Sequence, residues 1–139
     1  MQAQRQALDP QRWHFQHGPI DLVIQADGDA ACVQAAHEAA WAAFQPMLPS
    51  LVQELPLLRQ AVHAQAHNPL RGAIARSMWQ ACAPLAVPSA THPEGFITAM
   101  AAVAGAVAQA VLTCYQRPGI ARAWVNNGGD IALHLSPDT

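Results

Sequence analysis

The stretch Asn126-Asn127-Gly128-Gly129-Asp130 lies between two short β-type runs, Ile120 to Val125 and Ile131 to Leu135. Asn-Gly between apolar runs is the strongest short-range signal for a β-hairpin, so the pattern favours two strands joined by a tight turn. Two adjacent glycines also remove two Cβ atoms, which lets the backbone bend sharply and another group approach it closely. Two amides and one carboxylate supply donors and acceptors at this bend, a combination that suits a polar ligand such as a nucleotide. We predict that Gly128 or Gly129 adopts a backbone conformation that other residues avoid.

Two further strands and a helix are predicted near the amino terminus. Trp13 to His17 and Ile20 to Ala26 are predicted strands, because apolar residues recur with period two in the second run. Asp29 is the predicted N-cap of a helix that runs to about Gln45. The inward stripe of this helix is predicted to be Val33, His37, Ala40, Trp41 and Phe44.

The middle of the chain is predicted to be helical. Ser50 and Gln53 have the spacing of a capping box, and Asn68-Pro69 is predicted to open a helix with Asn68 as its cap. Phe96 to about Gln116 is predicted to form one long helix that is buried on most sides. The order strands, helices, strands predicts one α+β domain over residues 1–139, with helices packed on one face of an antiparallel or mixed sheet.

Composition argues against several classes of function. Of the 139 residues, 52% are hydrophobic and only 12% are charged, so we expect buried interface and at least a homodimer. Seven arginines without a lysine, a net charge of −2 and a pI of about 6.3 leave no basic stripe for nucleic acid. The polar amino terminus argues against a signal peptide, and the apolar run Phe96 to Leu112 is short for a membrane span. Three distant cysteines indicate free thiols in a reducing compartment, so we expect a cytoplasmic protein.

The seven histidines do not form a convincing metal-binding pattern. His14 and His17 are three apart on a predicted strand, so their side chains point to opposite faces. The i, i+4 pair His63 and His67 is followed by no acidic residue at ligand spacing. His37 lies on an apolar helix face, where a structural histidine is the commoner explanation. We therefore assign no metal ligand and no catalytic residue from the pattern alone.

The predicted helix from Phe96 has two interpretations. Ala101, Gly105 and Gln109 are four residues apart, and small residues there favour tight packing of the helix on the sheet, with Gly105 at the closest approach. Alternatively, Thr98 and Met100 near the helix start face a ligand, because a helix amino terminus attracts phosphate. In that case the loop Thr91 to Gly95 forms part of the rim of the site.

Two segments together resemble the ApbE-like superfamily. They are Phe96 to Gly105, and Trp124 to Ile131 with the Asn-Asn-Gly-Gly-Asp turn; Arg12 to Gly28 also fits. The chain is most similar to a small branch of that superfamily whose function is uncharacterised. The resemblance covers nearly the whole chain and implies an ApbE-like, T-fold-related α+β fold.

The better-known relatives are FAD:protein FMN transferases, which bind FAD, use magnesium and attach FMN to a threonine of a target protein. In them the helix opens with an aspartate and later carries Lys-Gly. Here Thr98 and Ala104 stand at the aspartate and lysine places, whereas Gly105, the glycine pair and Asp130 match. The resemblance thus implies a ligand site for FAD, FMN or another nucleotide at Asn126, Asn127, Gly128, Gly129, Asp130, Thr98, Met100 and Gly105.

The resemblance also implies that the fold is incomplete. Relatives continue beyond the glycine pair and there contribute further strands and the magnesium-binding residues, so this chain resembles their amino-terminal portion. Magnesium is expected only if that part is supplied, and a homodimer would cover the strand after Asp130. The expected functions, in order, are flavin or nucleotide binding, a non-catalytic structural or interaction domain, and magnesium-dependent FMN transfer.

Overall fold

A computed structural model describes residues 2–64, 66–86 and 96–137 of the chain. The chain divides into two compact units, one made of Met1–Leu48 with Val107–Thr139 and the other of Pro49–Ala106. Helix α5, Val103–Leu112, begins in the second unit and ends in the first. None of the helices in the described ranges has the length and apolar character needed to cross a membrane.

The first unit contains a five-stranded sheet in which every neighbouring pair is antiparallel. The spatial order is the order along the chain, so the predicted α+β class is confirmed and the alternative of a mixed sheet is not realised. Consecutive antiparallel strands need only short turns, except where helices intervene between the third and the fourth strand. The strands are β1 Gln4–Asp9, β2 Arg12–His17, β3 Ile20–Gly28, β4 Ile120–Asn127 and β5 Asp130–Leu135.

Strand β1 lies in the polar amino-terminal segment, where no strand was predicted from the sequence. Its residues are mostly exposed, and its pairing with β2 is irregular between Ala7 and Asp9. The strand forms because main-chain hydrogen bonds to β2 satisfy its backbone, not because apolar side chains are buried. Because its side chains are not buried in the core, the strand lacks the period-two alternation of apolar residues from which a strand is predicted.

Helix α1, Ala30–Phe44, covers one face of the sheet, which we call the inner face. Asp29 caps it as predicted, since its carboxylate accepts a hydrogen bond from the backbone N–H of Cys32 at 3.1 Å. Phe15 of β2 contacts the rings of Trp41 and Phe44 at centroid distances of 5.3 and 5.4 Å. The predicted stripe is buried except for Trp41, which is half-buried, and Ala36 is buried as well.

Helix α2, Met47–Gln53, starts in the first unit and continues into the second. The second unit also contains α3, Leu55–Leu58, and α4, Ala73–Cys82. The predicted capping box is wrong, because Ser50 lies inside α2. Asn68 does not cap α4 either: its side-chain oxygen accepts from the N–H of Leu70 at 3.0 Å in a local turn. Short 3₁₀ turns follow at Ala83–Leu85, Ala99–Ala102 and Thr113–Tyr115.

Candidate functional site

The predicted hairpin is present at the glycine pair. Asn127 pairs with Asp130, so Gly128 and Gly129 form a two-residue loop between β4 and β5. Their φ angles are +61° and +102°, which confirms the predicted backbone conformation at both positions. The side-chain oxygen of Asn126 accepts a hydrogen bond from the N–H of Gly129 at 2.8 Å and braces the turn.

The tip of the hairpin is open. A Cβ atom added to Gly128 or Gly129 would find no heavy atom of the described residues within 4 Å. The pair is therefore required by backbone conformation and not by close approach of another part of this chain, which corrects one reason given for it. Gly128, Gly129 and Asp130 are exposed, whereas Asn126 is half-buried and Asn127 is buried.

The outer face of the sheet, opposite α1, carries an apolar surface beside the tip. Trp124 is half-buried and pairs with Leu133, while Asn126 pairs with Ile131. Side chains of directly paired residues lie on the same face, so these groups are neighbours. Three residues of β5 on this face, which we call the outer apolar strip, keep more than half of their side-chain surface exposed: Ile131 at 64%, Leu133 at 56% and Leu135 at 55%.

The strip was not singled out by sequence reasoning, although its signal is visible. Ile131, Leu133 and Leu135 alternate with Ala132 and His134, a period-two pattern that marks one face of a strand. Such a pattern does not say which face is covered. The two-residue loop fixes the register and turns the larger apolar side chains away from α1.

The remaining predicted site residues lie in the second unit, whereas Asn126 to Asp130 belong to the first. Thr98 forms an isolated bridge with Ala61 and precedes a 3₁₀ turn of four residues, and its side chain makes no cap hydrogen bond. Met100 is half-buried within that turn. The argument for a phosphate at a helix start is therefore wrong here, because no α-helix begins at Thr98. The predicted rim, Thr91 to Gly95, lies outside the described residues.

Gly105 also differs from its prediction. The expected helix from Phe96 to Gln116 consists of a 3₁₀ turn, the ten residues of α5 and a second 3₁₀ turn. Gly105 is exposed, together with Ala101 and Gln109 at the same four-residue spacing. The small residues thus mark the open side of the helix, because the larger side chains are the ones that gain by burial. The buried residues of α5 are Val107, Ala108, Val111 and Leu112.

A shallow cavity of about 630 Å³ lies at the other end of β4. Its lining includes the backbone of Gly28 and Gly119 and the side chains of Asp29, Arg117 and His134. The hydrogen bond from the Cys32 backbone holds the pKa of Asp29 below its usual value. The side-chain hydrogen bond between Cys32 and Asp29 in turn raises the pKa of the Cys32 thiol, so Cys32 is not an activated nucleophile.

A buried polar pair joins α1 to the turn that follows α5. The Nδ1 atom of His37 lies 2.8 Å from the hydroxyl oxygen of Tyr115, and both side chains are almost fully buried. Burial lowers the pKa of His37 and raises that of Tyr115, so both groups are neutral near pH 7. This arrangement fits the structural interpretation of His37.

His14 and His17 lie on opposite faces of the sheet, as predicted from their spacing. His17 is buried on the inner face, whereas His14 lies on the outer face with its Nε2 atom 2.8 Å from the Oδ1 atom of Asp21, so the predicted opposition of the two is confirmed. Within residues 2–64, 66–86 and 96–137, no three His, Cys, Asp or Glu side chains are placed to hold a metal ion together.

The fold and the hairpin define an α+β protein with an antiparallel sheet covered by helix α1 on its inner face and a polar glycine turn at one end. A family model described as AbpE bacteria matches residues 4–139. Because the match extends over nearly the whole sequence, the chain belongs to this family. Neither the curated proteins nor the solved structures contain a significant match.

Proposed function

We propose that this protein binds a flavin or another nucleotide at the tip of the β4–β5 hairpin. The observation that carries the proposal is the open glycine turn, where a ligand can reach the backbone of Gly128 and Gly129 without meeting other described residues. The amide of Asn126 and the carboxylate of Asp130 flank this backbone. The resemblance of Trp124 to Ile131 to the nucleotide-side motif of ApbE-like proteins supports the same conclusion.

The chemistry of the tip assigns different parts of the ligand to different groups. Trp124 on the outer face offers a half-buried indole on which a planar ring can stack, a contact that contributes about 1–3 kcal/mol for a nucleic-acid base. The exposed carboxylate of Asp130 accepts hydrogen bonds from hydroxyl groups or ring N–H groups and repels phosphate. Because Trp124 lies on the outer face and Asp130 on the inner face, we assign the ring to Trp124, the sugar or ribityl chain to the loop over which it reaches Asp130, and the phosphate to solvent.

At the hairpin tip, the carboxylate of Asp130 is available to a magnesium ion. Mg²⁺ takes near-octahedral oxygen ligands and is usually held by one or two carboxylates together with substrate phosphates. Within the described ranges, Asp130 does not belong to a group of three or more His, Cys, Asp or Glu side chains placed to hold a metal ion. FMN transfer accordingly stays an expectation of the resemblance, and we derive no catalytic step.

The proposal is tested by titrating the protein with riboflavin, FMN, FAD and ATP, using calorimetry and flavin fluorescence. Asp130→Asn should weaken binding of the preferred ligand about tenfold or more, because a charged hydrogen-bond acceptor is lost. Trp124→Leu should weaken it by a similar factor and reduce quenching of the flavin. Glu38→Gln, which removes an exposed carboxylate from α1, is the matched control and should leave binding unchanged.

Two results would contradict the proposal. One is the absence of binding for all four compounds at millimolar concentration. The other is binding that neither Asp130→Asn nor Trp124→Leu affects, which would place the ligand elsewhere on the molecule.

A non-catalytic interaction domain is the second candidate. The observation in its favour is the outer apolar strip, whose three large side chains remain more than half exposed. Contiguous exposed apolar surface of this kind marks interaction sites in soluble proteins. Failure of the four titrations together with self-association through the strip would favour this candidate.

A further inference from the structure

The two edges of the sheet differ in how they resist pairing with another strand. Edge strand β1 is irregular between Ala7 and Asp9, and its Arg5 forms an ion pair with Glu38 at 3.0 Å. Bulges and charged side chains are the features by which edge strands avoid adding a further strand. The β1 edge is thus protected.

The β5 edge has no bulge, and its charged residue, Asp130, lies at the end of the strand beside the loop. Its pairing with β4 is regular from Asp130 to Leu135, and the strand contains no lysine, arginine or proline. The N–H of Ser136, just beyond the strand, donates to the carbonyl of Ala121 at 2.9 Å. Because main-chain groups alternate in direction along a strand, this bond shows that the even-numbered residues face β4. The main-chain groups of Ile131 and Leu133 therefore point away from the sheet.

We propose that two copies of this chain pair antiparallel along β5, about a two-fold axis at Ala132, and form one continuous sheet. Opposite residues in an antiparallel pair share a face, so Ile131 must lie opposite an odd-numbered residue of the second copy. Centring the pair on Ala132 puts Ile131 opposite Leu133, and the outer apolar strips of both copies then adjoin. An isologous contact of this kind closes at two copies.

Cross-strand pairing of polar side chains favours this register over the next one. With the axis at Ala132, Asp130 lies opposite His134 of the second copy, twice by symmetry, on the inner face. With the axis at Leu133, Asp130 lies opposite Ser136 and His134 lies opposite Ala132. The first register pairs the polar side chains of Asp130 and His134, whereas the second leaves His134 opposite a methyl group, so we assign the first.

The arrangement has a consequence for the hairpin tip. The Gly128-Gly129 loop of one copy would lie along the segment from His134 to Ser136 of the second copy. His134 and Ser136 line the cavity of about 630 Å³. The pairing would therefore bring the tip of each copy to the border of the cavity in the other. The dimer itself does not depend on flavin binding.

Light scattering and sedimentation test the pairing on the full chain. The native protein should have twice the 14.8 kDa mass of one chain at micromolar concentration. Leu133→Lys places a charge within the paired edge and should yield a monomer with an unchanged circular dichroism spectrum. Leu8→Lys is the matched control, because Leu8 is 48% exposed on the opposite edge strand, and this variant should stay dimeric. A native monomer, or a dimer lost in Leu8→Lys and kept in Leu133→Lys, would overturn the proposal.

Disulfide trapping tests the register. The two Ala132 residues form a pair without main-chain hydrogen bonds, with Cα atoms about 4.5 Å apart, within the range of a disulfide. Ala132→Cys should therefore cross-link under mild oxidation, whereas the native protein with its three cysteines should not. Leu133→Cys should cross-link poorly, because diagonal residues are about 7–8 Å apart. Efficient trapping at Leu133 and not at Ala132 would overturn the axis at Ala132.

Discussion

Replacing the glycines of the hairpin by alanine separates the cost of backbone conformation from the cost of a steric clash. Gly129 has a φ of +102° and open space around its Cβ position, so Gly129→Ala adds strain without a contact. We expect a loss of about 1–2 kcal/mol in the free energy of unfolding. Gly128→Ala, at a φ of +61°, should cost about 1 kcal/mol, and Gly128→Asn less, because asparagine tolerates this region better.

Gly28→Ala is the contrasting variant in the same unit. A Cβ atom at Gly28 would fall on the carbonyl oxygen of Gly119, which already accepts the N–H of Asp29 at 2.9 Å. The clash involves main chain on both sides, so it cannot be relieved by a side-chain rotation. The connection between β3 and α1 would have to move, and we expect a loss of about 3 kcal/mol or more.

Urea unfolding followed by tryptophan fluorescence measures both costs, provided that the slope of the transition is unchanged. The expected order is Gly28→Ala as the most destabilised, then Gly129→Ala, then Gly128→Asn. Neutral results for both hairpin alanine variants would refute the requirement for positive φ. A loss at Gly129 equal to that at Gly28 would show that the tip is packed against another part of the protein.

Three further outcomes are expected. Tyr115→Phe should lower the free energy of unfolding by about 1–3 kcal/mol, because it removes the partner of the buried His37 Nδ1; an unchanged urea midpoint would refute a stabilising role for this pair. Burial lowers the pKa of His37, so the folded chain binds a proton at His37 more weakly than the unfolded chain does. The contribution of neutral His37 to the free energy of unfolding is therefore complete above about pH 6.5 and is lost as the pH falls below that value. A His37→Gln variant should lack this pH-dependent contribution in its unfolding curves. Asp29→Ala should lower the midpoint of thermal unfolding because it removes the cap of α1, whereas Asp29→Asn, which keeps a side-chain oxygen acceptor, should leave the midpoint nearly unchanged.

Local signals allowed the elements around the first unit's core to be predicted. Asp29 caps α1 by accepting from the backbone N–H three residues later, and the alternation from Ile20 to Ala26 places its apolar side chains on one buried face. The conformation of the Gly128-Gly129 loop can be predicted from its two residues alone. In each case the interaction that forms the element lies within a few residues of the pattern that reveals it, so the sequence is sufficient.

Distant partners explain the errors. The two residues that precede α4 are held by Glu54, whose carboxylate accepts from the N–H of Arg71 at 2.7 Å and of Gly72 at 2.9 Å. Asn68, which has the right type and spacing for a cap, bonds instead to its own turn. No local pattern distinguishes these two solutions, because the choice depends on a carboxylate 18 residues before Gly72.

The sequence by itself determined the α+β class, the hairpin at Gly128-Gly129 and the helix that begins after Asp29, because these depend on backbone conformations and capping groups close together in the chain. Only the tertiary structure decided which sides of the elements are exposed. Gly105 lies on the open side of α5, and Leu133 points away from α1, although both patterns read equally well as buried. The physical reason is that periodicity defines a face, while register and packing against distant elements decide whether that face meets the core or the solvent.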